Sequence, residues 1–303
     1  MLIQKENILG NNYPKLVITT MDSNGIIHPN KNYQLLDEWN HGKRNTQLIT
    51  TMYGEKLIDI LDKELGLIHV NEEGLLRHGI LYISSDDPHP TVMRLLGKIA
   101  ESIIVDECNK NIYLNRKWGM VARRGRRIYK SLDSFKAIGT GLKSTQNNYL
   151  TKYNPTDTQR DIIWINKENE KNELLQIGSH SNSGISAGIQ IKVSHNGFKY
   201  IYRSDIARGK YEVPLVYFDL SNDYNKLTNA IYKEELDIEI GYDIVRGRDI
   251  SSEIHDLLIS YYHLIYSLLN GKITLNNLLQ NNLFRDVYKK EIQEQEGKKI
   301  LVI

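Results

Sequence analysis

The chain has 303 residues, of which 40 % are hydrophobic and 25 % charged, and its formal net charge is +2. These values are ordinary for a globular protein and exclude a global positive field that would recruit nucleic acid. The single cysteine, Cys108, excludes an intramolecular disulfide and a cysteine-rich zinc site. No apolar run approaches the ~20 residues that span a bilayer, and the first residues lack the apolar segment of a signal peptide, so a cytoplasmic protein is predicted.

The first 90 residues read as a mixed segment of strands and helix. The stretches KLVITTMD (15–22) and LLRHGILYISS (75–85) have the composition of strands. Between them, residues 53–66 carry apolar side chains at helical spacing and end at Gly66. We expect these residues to form an N-terminal α/β extension.

Four elements follow in the order helix, strand, strand, strand. Residues 92–111 have apolar side chains at helical spacing, after the break DDPHP (86–90) and a candidate N-cap at Thr91. The next two elements are short strands at 160–168 and 188–194. The continuous apolar run VPLVYFDL (213–220) predicts a strand that is buried on both faces. Asn196-Gly197 predicts a tight turn that returns the chain as a hairpin over 198–203.

The remaining segments are less regular. The most basic stretch, RKWGMVARRGRRIYK (116–130), is expected to be a loop or hairpin, and residues 138–159 have the composition of a loop. Residues 235–245 alternate in polarity, and the C-terminal part predicts a pair of helices joined at Gly271.

The fold class predicted from these elements is α/β (α+β), with a mixed central sheet flanked by helices. We expect three parts: the N-terminal α/β extension over 1–90, a core over 91–222, and a mostly helical region over 223–303 packed on that core.

Four polar residues occupy strand or helix positions where an apolar residue would be expected. Asp161 opens one strand, Gln190 and Lys192 share a face of the next, and Glu101 lies within the apolar stripe of the preceding helix. Carboxylate and amide oxygens in such an arrangement suit Mg²⁺, which takes a few hard oxygen ligands and keeps several waters. A lysine beside the ion could orient or deprotonate a metal-bound water that attacks a phosphodiester.

These residues resemble the PD-(D/E)XK, or restriction-endonuclease-like, nuclease superfamily. The resemblance rests on Asp161 before Ile-Ile-Trp, on Gln190-Ile191-Lys192 in the next strand, and on the helix phrase GKIAESII. It covers residues 91–220, and the order of the elements carries more weight than any one short motif. It implies a restriction-endonuclease-like sheet and a nuclease that uses Mg²⁺ or Mn²⁺.

Carried over position by position, the resemblance implies Asp161 as the central metal ligand, with Gln190 and the carbonyl of Ile191 beside it, and Lys192 as the residue that activates water. Glu101 would support the ion or the water. This chain departs from the usual pattern at Gln190, where the family has Glu or Asp; Mrr-like members are similar to this chain in carrying Gln. An amide oxygen still coordinates a hard cation but contributes no negative charge.

Glu107, six residues after Glu101 on the same predicted helix, competes for the role of the supporting acid. We favour Glu101 because it lies amid the apolar stripe.

The basic stretch supplies candidate contacts to a phosphate backbone. The candidates are Arg123, Arg124, Arg126 and Arg127, with Trp118 or Tyr129 packing beside them, and Lys143 in the glycine-rich segment IGTGLKST. That segment lacks the spacing of a phosphate-binding P-loop, so a loop near the site is expected. A solvated basic surface is an equally good interpretation of the arginines.

Three interpretations of function remain open on the sequence alone. The first is a nuclease, with DNA favoured over RNA as its substrate, acting as the effector of a bacterial restriction or antiviral system. The second is a degenerate core that binds nucleic acid or regulates a partner helicase or ATPase without cutting. The third is a protein-binding factor with no affinity for nucleic acid.

Overall fold

The computed structural model describes residues 16–21, 27–28, 54, 56–70, 76–79, 89–177, 184–269 and 299–302. The chain divides into two compact units, one of residues 1–62, 66–88 and 260–303 and the other of residues 63–65 and 89–259. None of the helices in the described ranges is long and apolar enough to cross a membrane.

The unit that contains residues 89–259 is built on a five-stranded sheet. In chain order its elements are α1 (His89–Lys110), α2 (Ile112–Ala122), β5 (Phe135–Gly139), α3 (Lys143–Asn148), β6 (Ile162–Asn166), β7 (Gly188–Ser194), α4 (Phe198–Ile201), β8 (Leu215–Asp219), α5 (Tyr224–Lys233), β9 (Ile244–Arg246), α6 (Gly247–Ile250) and the start of α7 (Ser252–Leu269). Short 3₁₀ segments lie at Lys130–Ser134 and Leu150–Lys152, and a π-helical turn lies at Tyr202–Ile206.

The strands of this sheet lie in sequence order, β5-β6-β7-β8-β9. The pairs β5–β6 and β6–β7 are antiparallel, whereas β7–β8 and β8–β9 are parallel. Parallel neighbours need a crossover connection, and α4 with the π-helical turn, and then α5, supply the two crossovers. Helix α1 packs on β5 and β7, with Ile99 and Ile103 fully buried. The predicted α+β class, a mixed sheet flanked by helices, is confirmed.

The other unit contains two small sheets among its described residues. One has the order β10-β1-β2, formed by β1 (Leu16–Met21), β2 (Ile27–His28) and β10 (Lys299–Val302), and the other pairs β3 (Ile68–Val70) with β4 (Leu76–Gly79). Residues 56–59 are helical and continue as a π-helical segment, Ile60–Glu64. The strand predicted over 15–22 and the start of the one predicted over 75–85 are thus present.

The hairpin predicted over 188–203 is wrong. Asn196 does adopt a left-handed conformation at φ 61°, but the chain then enters α4 instead of returning as a strand. The apparent alternation of FKYIYR misled the prediction, because the buried residue is Ile201, at 1 % exposure, whereas Tyr200 is 61 % exposed. Ile201 and Ile206 pack with Tyr217 of β8, which is the burial that a crossover helix requires.

The loop predicted over 116–130 is also wrong in its first half, which belongs to α2. The buried residues Asn115, Trp118, Gly119 and Ala122 recur at helical spacing among the charges, which hid the pattern. Trp118 is fully buried, so it does not pack beside exposed arginines. Asn115 ties α2 to the sheet, because it accepts a hydrogen bond from the Trp164 ring (2.8 Å) and donates to the Phe135 carbonyl (2.8 Å).

Three further predictions meet the structure in different ways. The strand β5 was not foreseen, and of residues 235–245 only 244 and 245 form part of a strand, β9. The expected boundary at 222 falls inside the unit of residues 89–259, since β9 belongs to the same sheet as β8. The second helix of the predicted C-terminal pair lies outside the described residues.

Candidate metal and catalytic site

Asp161 lies at the junction of three segments of the core. Its backbone N–H donates to the Ile189 carbonyl (2.9 Å), and its own carbonyl accepts from the Thr140 N–H (2.8 Å). Its carboxylate reaches β7, where Oδ2 accepts hydrogen bonds from the Gln190 side-chain amide (2.6 Å) and the Ile191 N–H (2.7 Å). The Asp161 carboxylate, just before the start of β6, therefore accepts the Ile191 N–H in place of a backbone carbonyl of a neighbouring strand.

Two side-chain oxygens beside this junction are left open. Oδ1 of Asp161 accepts no hydrogen bond from any residue that the structure describes. Gln190 is only 8 % exposed, and its buried Oε1 has no hydrogen-bond partner among the described residues. A buried amide oxygen without a partner loses its interaction with water and gains nothing in return, so it is a strong candidate for binding a ligand.

The carbonyl of Ile191 points to the side of β7 on which Asp161 lies. The Gln190 N–H donates to the Pro214 carbonyl at β8, and successive peptide groups of a strand alternate between its two neighbours. The peptide groups of Ile191 therefore face β6, in agreement with the bond from its N–H to Asp161.

Glu101 approaches the junction from α1 and is completely buried. Its Oε1 accepts from the Gly141 N–H (3.0 Å), and its Oε2 lies 2.9 Å from Lys98 Nζ. Gly139, at the end of β5, leaves room for this carboxylate, since a Cβ there would come within 2.6 Å of Oε1. Glu101 also interacts electrostatically with Asp161.

Burial raises the pKa of both carboxyl groups. For Glu101 the shift is from 4.5 to about 7, because burial and the Asp161 charge outweigh the effect of Lys98 and the Gly141 N–H. The pKa of Asp161 is raised by burial, against the opposing effects of the Ile191 N–H and the charges of Lys98 and Lys192. Two buried carboxyl groups with raised pKa values, of which one acts electrostatically on the other, indicate a place where an added cation would be stabilised.

Lys192 extends from β7 towards the π-helical turn. Its Nζ lies 3.6 Å from Oδ2 of the buried Asp205 and 5.8 Å from the centre of the Tyr211 ring. Asp205 Oδ1 is held in turn by Lys210 Nζ (3.0 Å) and the Tyr211 hydroxyl (3.1 Å). Burial lowers the pKa of Lys192, but Tyr211 and Asp205 outweigh it, so this pKa is raised and the side chain is a cation at neutral pH.

The structure therefore brings Asp161, Gln190 and Ile191 into contact. It places Glu101 close enough for Asp161 to raise its pKa, and Lys192 close enough to lower the pKa of Asp161. Among the described residues no group of three or more His, Cys, Asp or Glu side chains could hold a metal. A candidate site made of two carboxylates, an amide and a carbonyl suits a hard cation such as Mg²⁺ and not zinc.

Two of the candidate phosphate-contacting arginines pair with residues other than those of the candidate metal site. Arg124 Nε lies 3.0 Å from Asp243, and its Nη1 donates to Gln176, while Arg126 Nη2 lies 3.5 Å from Glu239. These two guanidinium groups are already paired with protein carboxylates. The other candidates differ in exposure: Arg123 is partly buried at the end of α2, whereas Arg127 and Lys143 are exposed.

Two neighbours of the site, Lys98 and Asp205, were missed by the sequence analysis. Lys98 precedes Glu101 by three residues, a spacing that brings side chains together on a helix and could have signalled the pair. Asp205 gave no such signal, because its contact with Lys192 requires the segment after β7 to be helical. The Thr140 hydroxyl donates to the Arg160 carbonyl (2.7 Å), so the loop that was expected near the site is tied to it.

No family model, no curated protein and no solved structure matches this chain. The candidate site consequently rests on its geometry.

The raised pKa of Glu101 predicts a specific dependence of stability on pH. A carboxyl group whose pKa is higher in the folded state stabilises the fold below its ordinary pKa of 4.5, and this contribution is lost as the pH rises through about 7. We expect the free energy of unfolding of the wild type to fall by about 3 kcal/mol across this window relative to Glu101→Gln. Urea denaturation at pH 5, 6, 7 and 8 measures it; the exposed Glu168→Gln is the control, and parallel profiles for wild type and Glu101→Gln would contradict the assignment.

Proposed function

We propose that this protein is a Mg²⁺- or Mn²⁺-dependent nuclease that hydrolyses phosphodiester bonds, with DNA favoured over RNA. The observation that carries the proposal is a pair of oxygens at the junction of β6 and β7, Oδ1 of Asp161 and the buried Oε1 of Gln190. Neither accepts a hydrogen bond from the part of the chain that the structure describes. Lys192, on the same strand as Gln190, provides a cation close enough to lower the pKa of Asp161.

The arrangement of the elements supports the restriction-endonuclease-like resemblance on which the proposal draws. Helix α1 carries Glu101, β6 begins directly after Asp161, and β7 carries Gln190, Ile191 and Lys192. The strand β8, which the continuous apolar run predicts, follows β7 through a crossover and pairs with it in parallel. The motif residues thus lie on neighbouring strands and not merely in the expected order.

The residues present fit a hard divalent cation. Asp161 and Gln190 would hold it through Oδ1 and Oε1, the carbonyl of Ile191 faces the same side, and Glu101 lies next to Asp161. When bound, the ion supplies a polarised phosphoryl oxygen and a water of lowered pKa. Gln190 contributes an oxygen without charge, so the site carries two negative charges at most from its ligands.

Lys192 acts as a cation and not as a base in this arrangement. Asp205 and Tyr211 raise its pKa, so it retains its proton at neutral pH. A protonated lysine can hold the attacking water or the phosphate in place and stabilise the negative charge that develops on the phosphoryl oxygens. Asp205, fixed by Lys210 and Tyr211, restricts where the ammonium group lies.

A cleavage assay tests the proposal. Closed-circular duplex DNA, single-stranded DNA and RNA are incubated with the full chain in Mg²⁺, in Mn²⁺ and in EDTA. We expect cleavage of at least one substrate, DNA before RNA, only when divalent metal is present. Cleavage that persists in EDTA would contradict the metal site, and absence of cleavage for all substrates would favour the second candidate below.

The second candidate is a catalytically inactive module that binds nucleic acid or a partner ATPase or helicase. It is favoured by one observation: protein groups already pair with both acids, since Lys98 pairs with Glu101 and the Gln190 amide donates to Asp161. Such a site could be stable without any ion. The role of restriction or antiviral effector, the cytoplasmic location and the ATPase or helicase partner are parts of the proposal that rest on the resemblance alone.

Gln190→Glu separates the two candidates. The substitution adds a negative charge at the open oxygen, so we expect Mn²⁺ to bind about tenfold more tightly, since affinity for hard cations rises with ligand charge. Without metal the variant loses the bond from Gln190 to Asp161 and places two carboxylates together, so its thermal stability falls. Metal titration of the variant and of the exposed control Gln146→Glu measures the effect; equal affinity in the two would favour the inactive module.

A further inference from the structure

Lys98 is the cation that lies closest to Glu101. It is one turn before Glu101 on α1, and its Nζ lies 2.9 Å from Glu101 Oε2. The two partners differ in burial, because the Lys98 side chain is 37 % exposed whereas that of Glu101 is fully buried. Lys98 thus reaches from solvent into the site.

The chain leaves space for this contact. A Cβ on Gly141 would come within 2.6 Å of Lys98 Nζ, so glycine at this position makes room for the ammonium group. The N–H of the same residue donates to the other oxygen of Glu101. Both oxygens of Glu101 are therefore engaged by protein donors, in contrast to Asp161, whose Oδ1 accepts no bond from a described residue.

We propose that Lys98 is an internal cation that occupies Glu101 and competes there with the divalent metal. This inference rests on the proposed function, because it concerns the same metal site. In the resting protein Lys98 supplies the counter-charge of the buried carboxylate. When the metal binds, Glu101 turns towards it and Lys98 moves out to solvent.

Lys98 and the metal would compete because each can balance the negative charge of Glu101. A buried carboxylate without a partner is costly, and Lys98 removes much of that cost when no metal is bound. The same positive charge lies beside the position that the metal must take, and it opposes binding there. Lys98 can leave because its long aliphatic stem allows the charged end to return to water while the stem stays packed. Lys98 thereby sets the metal concentration at which the site fills.

A double-mutant cycle on metal affinity tests this inference without reference to cleavage. Mn²⁺ binding to the full chain is measured by electron paramagnetic resonance at pH 8.0 for wild type, Lys98→Met, Glu101→Gln and the double variant. This pH is above the raised pKa of Glu101 in the wild type, so its carboxyl group is mostly ionised. We expect Lys98→Met to bind Mn²⁺ about tenfold more tightly than wild type, and the same substitution to have no effect when Glu101 is already Gln.

Arg94→Met is the matched control, since Arg94 is an exposed cation one turn earlier on α1. It should leave Mn²⁺ affinity unchanged. Far-ultraviolet circular dichroism and thermal unfolding establish that each variant is folded, and Lys98→Gln replaces Lys98→Met if the latter is not.

The outcomes distinguish this inference from the proposed function. Unchanged or weaker binding in the Lys98 variant, with normal binding in wild type, would overturn the competition while leaving the metal site intact. An equal gain with Glu101 present or absent would also overturn it, because Lys98 would then act only as a distant charge. Absence of Mn²⁺ binding in every variant would overturn the inference together with the metal site.

Discussion

Asp161→Asn is expected to abolish metal-dependent cleavage while leaving the fold intact. Asn keeps an oxygen that can accept the Ile191 N–H, so the junction of β6 and β7 retains that bond. It removes the negative charge of the proposed central ligand, and Gln190, which shares the junction of β6 and β7 with it, is neutral. Metal assistance contributes several kcal/mol to phosphodiester hydrolysis, so a loss of about a thousandfold in rate is expected.

Cleavage rate and thermal unfolding, measured together, test this prediction. Burial opposes ionisation of Asp161, so the Asn variant should unfold at the same temperature as wild type or higher. Glu168→Gln removes an exposed carboxylate in the turn after β6 and should leave cleavage unchanged. If Asp161→Asn cut at the wild-type rate, Asp161 would not be a metal ligand.

Lys192→Met should separate cleavage from binding. Methionine keeps most of the length and apolar packing of the lysine but removes the charge that stabilises the developing phosphoryl oxyanion. Loss of one such stabilising contact lowers the rate by about a hundredfold to a thousandfold. Binding of Mn²⁺ and of nucleic acid should be retained, because Lys192 is not among the proposed metal ligands and Asp205 keeps its bonds to Lys210 and Tyr211.

Lys210→Met is the matched control for this prediction. Lys210 pairs with the same carboxylate at 3.0 Å but lies outside β7 and is more exposed than Lys192. Its removal should lower the cleavage rate much less than removal of Lys192, because the Tyr211 hydroxyl still binds Asp205. Equal losses in the two variants would mean that Lys192 acts only by neutralising Asp205, which would contradict its place in the reaction.

The core of the site could be predicted from the sequence because its residues break a strong local pattern. Asp161, Gln190 and Lys192 are polar residues at the ends or on the faces of apolar strands, and the strands that carry them form as expected. Glu101 stands out for the same reason within the stripe of α1. Local patterns also predicted α1 and β8.

The parts that sequence reasoning missed depend on contacts between distant segments. The pairing of Lys192 with Asp205 requires the crossover after β7 to be helical, and the alternation of FKYIYR pointed to a strand instead. Similarly, the pairing of Arg124 with Asp243 joins residues that are far apart in the chain, so basic residues that looked available for phosphate are engaged within the protein. Charge in a sequence does not reveal whether the fold neutralises it.

Mn²⁺ binding by wild type and Asp161→Asn tests the central claim most directly, because the claim is that Asp161 and Gln190 hold a divalent cation. Electron paramagnetic resonance at increasing Mn²⁺ concentration counts the ions bound to the full chain. The proposed site predicts one ion in the wild type, competed by Mg²⁺, and none in Asp161→Asn. Equal binding by the two proteins, or no binding by the wild type, would contradict it.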